Sequence, residues 1–280
     1  MGRITQRRPV LRLSTAGQGR QTRRPDTLVV EEPLEIRIAG QALSLTMRTP
    51  GDDFDLVAGF LTGEGVLRTA KDITAMRYCT DLGEDGQPTF NAVDVLLADG
   101  VAPPDPSIER AFYTTSACGI CGTTSIEALR RRAPYDIAAD TAHFDPEILV
   151  RLPDALRERQ RVFERTGGLH AAGLFDADGR LRALREDVGR HNAVDKVVGW
   201  ALRDDQLPLS GCVLMVSGRA SFELTQKAVQ AGIPALAAVS APSSLAVELA
   251  EDAGLTLIGF LRGDSMNIYT GAHRITGQSI

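Results

Sequence analysis

Residues 28–50, LVVEEPLEIRIAGQALSLTMRTP, alternate apolar and polar positions in two runs that meet at Ala39-Gly40. A period of two with a glycine at the joint predicts a β-hairpin. The next stretch changes period: Phe54, Val57, Phe60 and Leu61 share one face of a helix. Asp52 or Asp53 can cap its start, and Gly63 and Gly65 end it. AMRYCT and NAVDVLLA then read as strands around a DLGEDGQP turn. This first half predicts a small sheet carrying one helix.

Further along, TTSIEALRRR carries a capping pattern in Thr124 and Glu127, which predicts a helix after the loop before it. Residues 144–168 read as a helical pair broken near Pro153. From LHAAGLFD to LTLIGFLRG, short apolar runs alternate with amphipathic stretches of ten or so residues. Strands spaced by helices in this way predict a layered α/β domain. The halves divide around residues 133–145, between Pro134 and Pro146. The organisation expected is a flexible basic arm over 1–25, a smaller α+β domain over 26–140 and the α/β domain over 141–280.

Charge changes the picture only at the N-terminus. The net charge is −5, and seven arginines without an acid in residues 1–24 leave −12 on the remainder. The ordinary reading is a solvated arm; the sharper one is docking on an acidic partner protein. An acidic body with 5% aromatic residues argues against nucleic acid. No apolar run approaches the length needed to span a bilayer, and no signal-peptide core follows the first basic residues. The expected compartment is therefore the cytoplasm.

Four cysteines in 280 residues are no disulfide framework. Two of them, Cys118 and Cys121, stand three apart in TTSACGICGTTS, each followed by a glycine. Structural zinc calls for four ligands, and no second pair exists to supply them. GGLHAAG has the histidine of a zinc deaminase, His170, but Ala172 stands where the proton-moving glutamate belongs, and the cysteines precede the histidine instead of following it. A dithiol redox pair fits the helix start that follows. A mobile glycine-flanked thiol that accepts a group and presents it elsewhere fits the flanking residues best. Two other polar stretches stand out. REDVGRHNAVDKVVG sets charged groups at a helix start, ordinarily a solvated face but also suited to an anion. GFLRGDSMNIYTG ends a β-run in a loop with Arg262, which is either a plain hairpin turn or a ligand loop at a strand end.

Taken in order, SACGICG, TGGLHAAGLFD, EDVGRHNAVDK, SGRASFELTQKA and GFLRGDSMNIYT closely resemble the FdhD family of formate dehydrogenase accessory sulfurtransferases. The resemblance runs from about residue 26 to the C-terminus and leaves out the arginine arm. It implies a cytidine-deaminase-like larger domain without zinc, and a cytoplasmic homodimer. It implies that sulfur from a cysteine desulfurase is held as a persulfide and delivered to the molybdenum cofactor, a bis-molybdopterin guanine dinucleotide bound as substrate, for formate dehydrogenase. It places the persulfide on Cys118, with Cys121 as the second loop cysteine, and cofactor binding on Phe260, Leu261, Arg262, Gly263, Asp264 and Ser265. His191 and Lys196 are further candidates for cofactor contact. The alternative is a non-catalytic chaperone for the cofactor or for apo-formate dehydrogenase.

Overall fold

The computed structural model describes residues 3–15, 21–79, 86, 89–104 and 133–277. In chain order the strands of the N-terminal part are β1 (Thr5–Leu13), β2 (Gln21–Val29), β3 (Glu32–Ile38) and β4 (Gln41–Arg48). Helix α1 (Asp53–Gly63) follows, then β5 (Ile73–Tyr78) and β6 (Ala92–Leu97). The C-terminal part holds α2 (Pro146–Leu149), α3 (Leu152–Arg159), α4 (Arg161–Thr166), β7 (His170–Asp176), β8 (Leu181–Asp187) and α5 (Arg190–Arg203). It finishes with β9 (Cys212–Val216), α6 (Phe222–Gln230), β10 (Ala235–Ala238), α7 (Ser244–Ala253), β11 (Thr256–Arg262) and β12 (Ser265–Thr270).

The predicted hairpin is β3–β4, turning at Ala39-Gly40 with both residues at positive φ. It belongs to a four-stranded sheet of order β4-β3-β6-β5. Leu34, Ile36, Val93 and Val95 on one face bury against Leu56, Val57 and Leu61 of α1. Two expectations change here. The residues expected as a flexible arm contribute β1 and most of β2, which pair antiparallel from Thr5↔Val29 to Leu13↔Gln21. This ribbon is largely exposed on both faces, so it shows none of the one-sided burial by which alternation announces a strand. Asp52 and Asp53 also do not cap α1 by side chain. Asp53 instead chelates the buried Arg48 at 3.0 and 3.1 Å, and Asp52 approaches Arg185 at 3.4 Å.

The second sheet has six strands in the order β12-β11-β10-β9-β7-β8. Its centre, β9-β10-β11, is parallel, while β7, β8 and β12 join antiparallel. CVLMV of β9 is buried throughout because both its faces are covered, which is why it reads as an unbroken apolar run. Cys212, Leu214 and Val216 face Val194, Val197, Leu224 and Ala250 of α5–α7. Val213 and Met215 face the other way, toward Leu149, Leu152 and Leu156 of α2 and α3. The architecture is thus mixed α/β with helices on both faces of the main sheet. In the helical stretch before β7 the chain breaks at Val150 and Arg151, beside Pro153 as expected, with the proline in the first turn of α3; it breaks again at Gln160.

The two parts join where α1 crosses α5. A Cβ on Gly59 would lie 1.8 Å from the Asp195 carbonyl oxygen, and one on Gly199 would lie 1.8 Å from that of Asp55. Backbone therefore meets backbone on both sides of the crossing, a distance only glycine allows. Asp55 adds ion pairs to Arg185 and Arg203 across the same junction.

Candidate functional site

The carboxyl ends of β9, β10 and β11 lie along one edge of the main sheet, and β7, running antiparallel, begins there. Ser217, Val239, Arg262 and His170 consequently converge on a cleft of about 550 Å³. The side of α3 and the start of α4 form its other wall through Asp154, Arg157, Gln160 and Phe163. Crevices at the carboxyl ends of parallel strands are the usual ligand position in α/β sheets.

The GFLRGDS stretch supplies the rim. Phe260 has φ 49° within a bulge where β11 and β12 slip register, and its amide donates to the Ser240 carbonyl at 3.2 Å. Leu261 is fully buried in the core and anchors the segment. Arg262 pairs in register with Ser265, leaving Gly263 and Asp264 as a two-residue turn with Gly263 at φ 58°. Arg262, Gly263, Asp264 and Ser265 are exposed, and of these Arg262 and Gly263 line the cleft. The Arg262 guanidinium stands 5.8 Å from the Phe260 ring centre, with no carboxylate partner among the described residues.

His170 faces the same cleft. Burial, then the charges of Arg190 and His191, holds its imidazole below the ordinary range, so at neutral pH it is uncharged. The next amide, that of Ala171, donates to Ser217 Oγ at 2.9 Å and fixes the β7 start against β9.

REDVGRHNAVDK proves to be a set of girders. Asp187 is wholly buried and lies 2.7 Å from Lys196 Nζ; that amine also donates to the Thr49 carbonyl at 2.9 Å. Thr49 N–H donates back to Asp187 at 3.1 Å, and Asn192 Nδ2 donates to the Met47 carbonyl at 2.8 Å. Lys196 is 2% exposed, so its charge is spent on the joint between the two sheets. Glu186 accepts from the amides of Val162 and Phe163 at 3.0 and 2.8 Å, which holds α4 at the cleft wall. His191 Nε2 is 2.8 Å from Glu223 Oε2 and 3.4 Å from Ser221 Oγ. Both contacts use the same ring nitrogen, so this is no nucleophile–base–acid relay. The hydrogen bond to His191 lowers the Glu223 carboxyl below its usual range.

Cys118 and Cys121 lie outside the described residues. Among the described residues no three His, Cys, Asp or Glu side chains gather where they could hold a metal. Sequence reasoning missed the α3–α4 wall. One signal was available: Leu152, Leu156 and Gln160 fall four apart, so a glutamine occupies the third position of a buried stripe.

The chain matches the model of the FdhD/NarQ family over residues 29–276. It is 61% identical to the sulfur carrier protein FdhD of Streptomyces coelicolor, covering 98% of this chain and 97% of the relative. It is 55% identical to the sulfur carrier protein FdhD of Mycobacterium tuberculosis, covering 99% of this chain and 100% of the relative. A crystal structure from Desulfotalea psychrophila, described as a formate dehydrogenase accessory protein, superposes with a TM-score of 0.73 over 98% of this chain and 100% of that one, at 24% identity. That likeness concerns the fold.

Proposed function

Since this chain belongs to the FdhD/NarQ family, we propose that it is a sulfur carrier that matures formate dehydrogenase. In this reading Cys118 takes sulfur from a cysteine desulfurase and the protein passes it to the molybdenum cofactor, a bis-molybdopterin guanine dinucleotide. The Cys118 thiolate attacks the terminal sulfur of the donor's persulfide. A new S–S bond forms on Cys118, the donor's S–S bond breaks, and the donor leaves as a thiolate. Cys121 is the second thiol of the same loop. The protein works in the cytoplasm as a homodimer, and its main layered domain is of the cytidine-deaminase-like kind.

The observation that carries the reading is the open guanidinium of Arg262, at the rim of a cleft and within the stretch that resembles the family's cofactor segment. A guanidinium with no carboxylate partner among the described residues suits a phosphate of the dinucleotide, and backbone N–H groups of the neighbouring turn suit its remaining oxygens.

Mass spectrometry after incubation with a desulfurase and cysteine tests the carrier role. The Cys118 peptide gains about 32 Da, the mass of one sulfur held as persulfide, and Cys118→Ala abolishes both that gain and activation of formate dehydrogenase. A chaperone without sulfur chemistry shows no gain, and full activation by Cys118→Ala removes the carrier reading.

A further inference from the structure

Gln160 is 4% exposed and lines the cleft; its side-chain amide makes no hydrogen bond among the described residues and is not sealed in the interior, so it opens on the cleft. An amide that opens on a cleft without a protein partner is free to exchange its water for a ligand's polar edge. The residue sits at the break between α3 and α4, where Glu186 clamps the amides of Val162 and Phe163, so its position is held. Asp154 and Arg157 precede it at intervals of three, and both line the same cleft. The Arg157 guanidinium stacks on the Phe163 ring at 4.2 Å from its centre, a flat surface on which a planar ring can lie. An amide offers one donor and one acceptor side by side, and an ionised carboxylate offers acceptors alone.

We propose that Gln160 and Asp154, over the Arg157–Phe163 stack, read the 2-amino-4-oxopyrimidine edge that guanine and pterin rings share. The Gln160 NH₂ donates to the ring oxo group, while the Asp154 carboxylate accepts from the ring N–H and the exocyclic amine. Adenine presents an amine where the oxo group would be and an unprotonated nitrogen beside it, so it meets Asp154 with the wrong sign. These are specificity residues, distinct from the phosphate-holding Arg262 rim. The proposal deepens the cofactor reading above and rests on it.

Full-length protein is titrated by calorimetry with GDP, ADP, pyrophosphate and 6-hydroxymethylpterin. Wild type prefers GDP to ADP. Gln160→Leu weakens GDP roughly tenfold, the worth of one to two neutral hydrogen bonds, and leaves pyrophosphate unchanged. Should Gln160→Leu also lose pyrophosphate through a disturbed wall, the exposed Asp154→Ala decides: it must weaken GDP, spare pyrophosphate and shrink the preference over ADP. If the pterin and not GDP shows this dependence, the face reads the pterin ring. If neither ligand responds selectively to either variant while pyrophosphate binds, base reading is overturned and the phosphate site stands. If wild type binds none of them, the cofactor reading fails as well.

Discussion

Lys196 and Arg262 are both cations in polar stretches that point to a bound anion, and the structure treats them oppositely. Lys196 is buried to 2% exposure against the wholly buried Asp187 and the Thr49 carbonyl. Arg262 is exposed at the mouth of a cleft without a carboxylate partner among the described residues. The first charge is committed to an internal joint; the second remains available for a ligand. A buried cation has been removed from water and must be paired at home, whereas an exposed one keeps its hydration until something displaces it.

The strongest way to break this contrast is to remove Lys196. Lys196→Ala strands Asp187 as an uncompensated buried charge and costs about 3–5 kcal/mol in urea unfolding. A variant that unfolds at the wild-type midpoint would show that the joint carries no such load. Arg262→Ala should do the reverse. Its stability stays within about 0.5 kcal/mol of wild type, as for an ordinary surface change. GDP binding weakens by roughly 1.5–3 kcal/mol, the worth of a hydrogen bond to a charged group, and thermal shift with and without GDP reads both quantities. Equal GDP affinity in wild type and Arg262→Ala places the phosphates elsewhere.

The smallest effect belongs to His170, which sharpens the contrast between buried and open groups by lying between them. Its folded pKa lies below the unfolded value of 6.5. Between those two values the unfolded chain binds more protons, so stability is complete above about pH 6.5 and falls as pH drops toward the folded pKa. Unfolding midpoints measured from pH 8 to 5 should show that decline, and His170→Asn should flatten it. An unchanged slope in His170→Asn assigns the decline to another group.

Helix and strand order from residue 169 onward was legible because each element is long enough to show its period: 3.6 in α5 and α6, unbroken apolar in β9. The position of Arg262 at a strand end was legible for the same reason, since β11 announces itself and a glycine follows. Cys118 and Cys121 stand out in the sequence as candidate thiols by their spacing and flanking glycines, and they lie outside the described residues.

What the chain alone left undecided were the partners across long separations. Lys196 meets Thr49 over 147 positions, and nothing in the local pattern of either stretch points to the other. Gly59 and Gly199 look like ordinary interruptions of two helices until the crossing brings each against the other helix's backbone at a distance no side chain tolerates. The α3–α4 wall was hidden because a glutamine in an apolar stripe is informative only once the stripe is known to be buried and to border a cleft. Periodicity is a property of neighbours along the chain, so sequence determines which surface of each element is apolar. Burial of a charge or an amide is a property of what folds against it, and only the tertiary structure decides whether that group is a girder or a hand held out to a ligand.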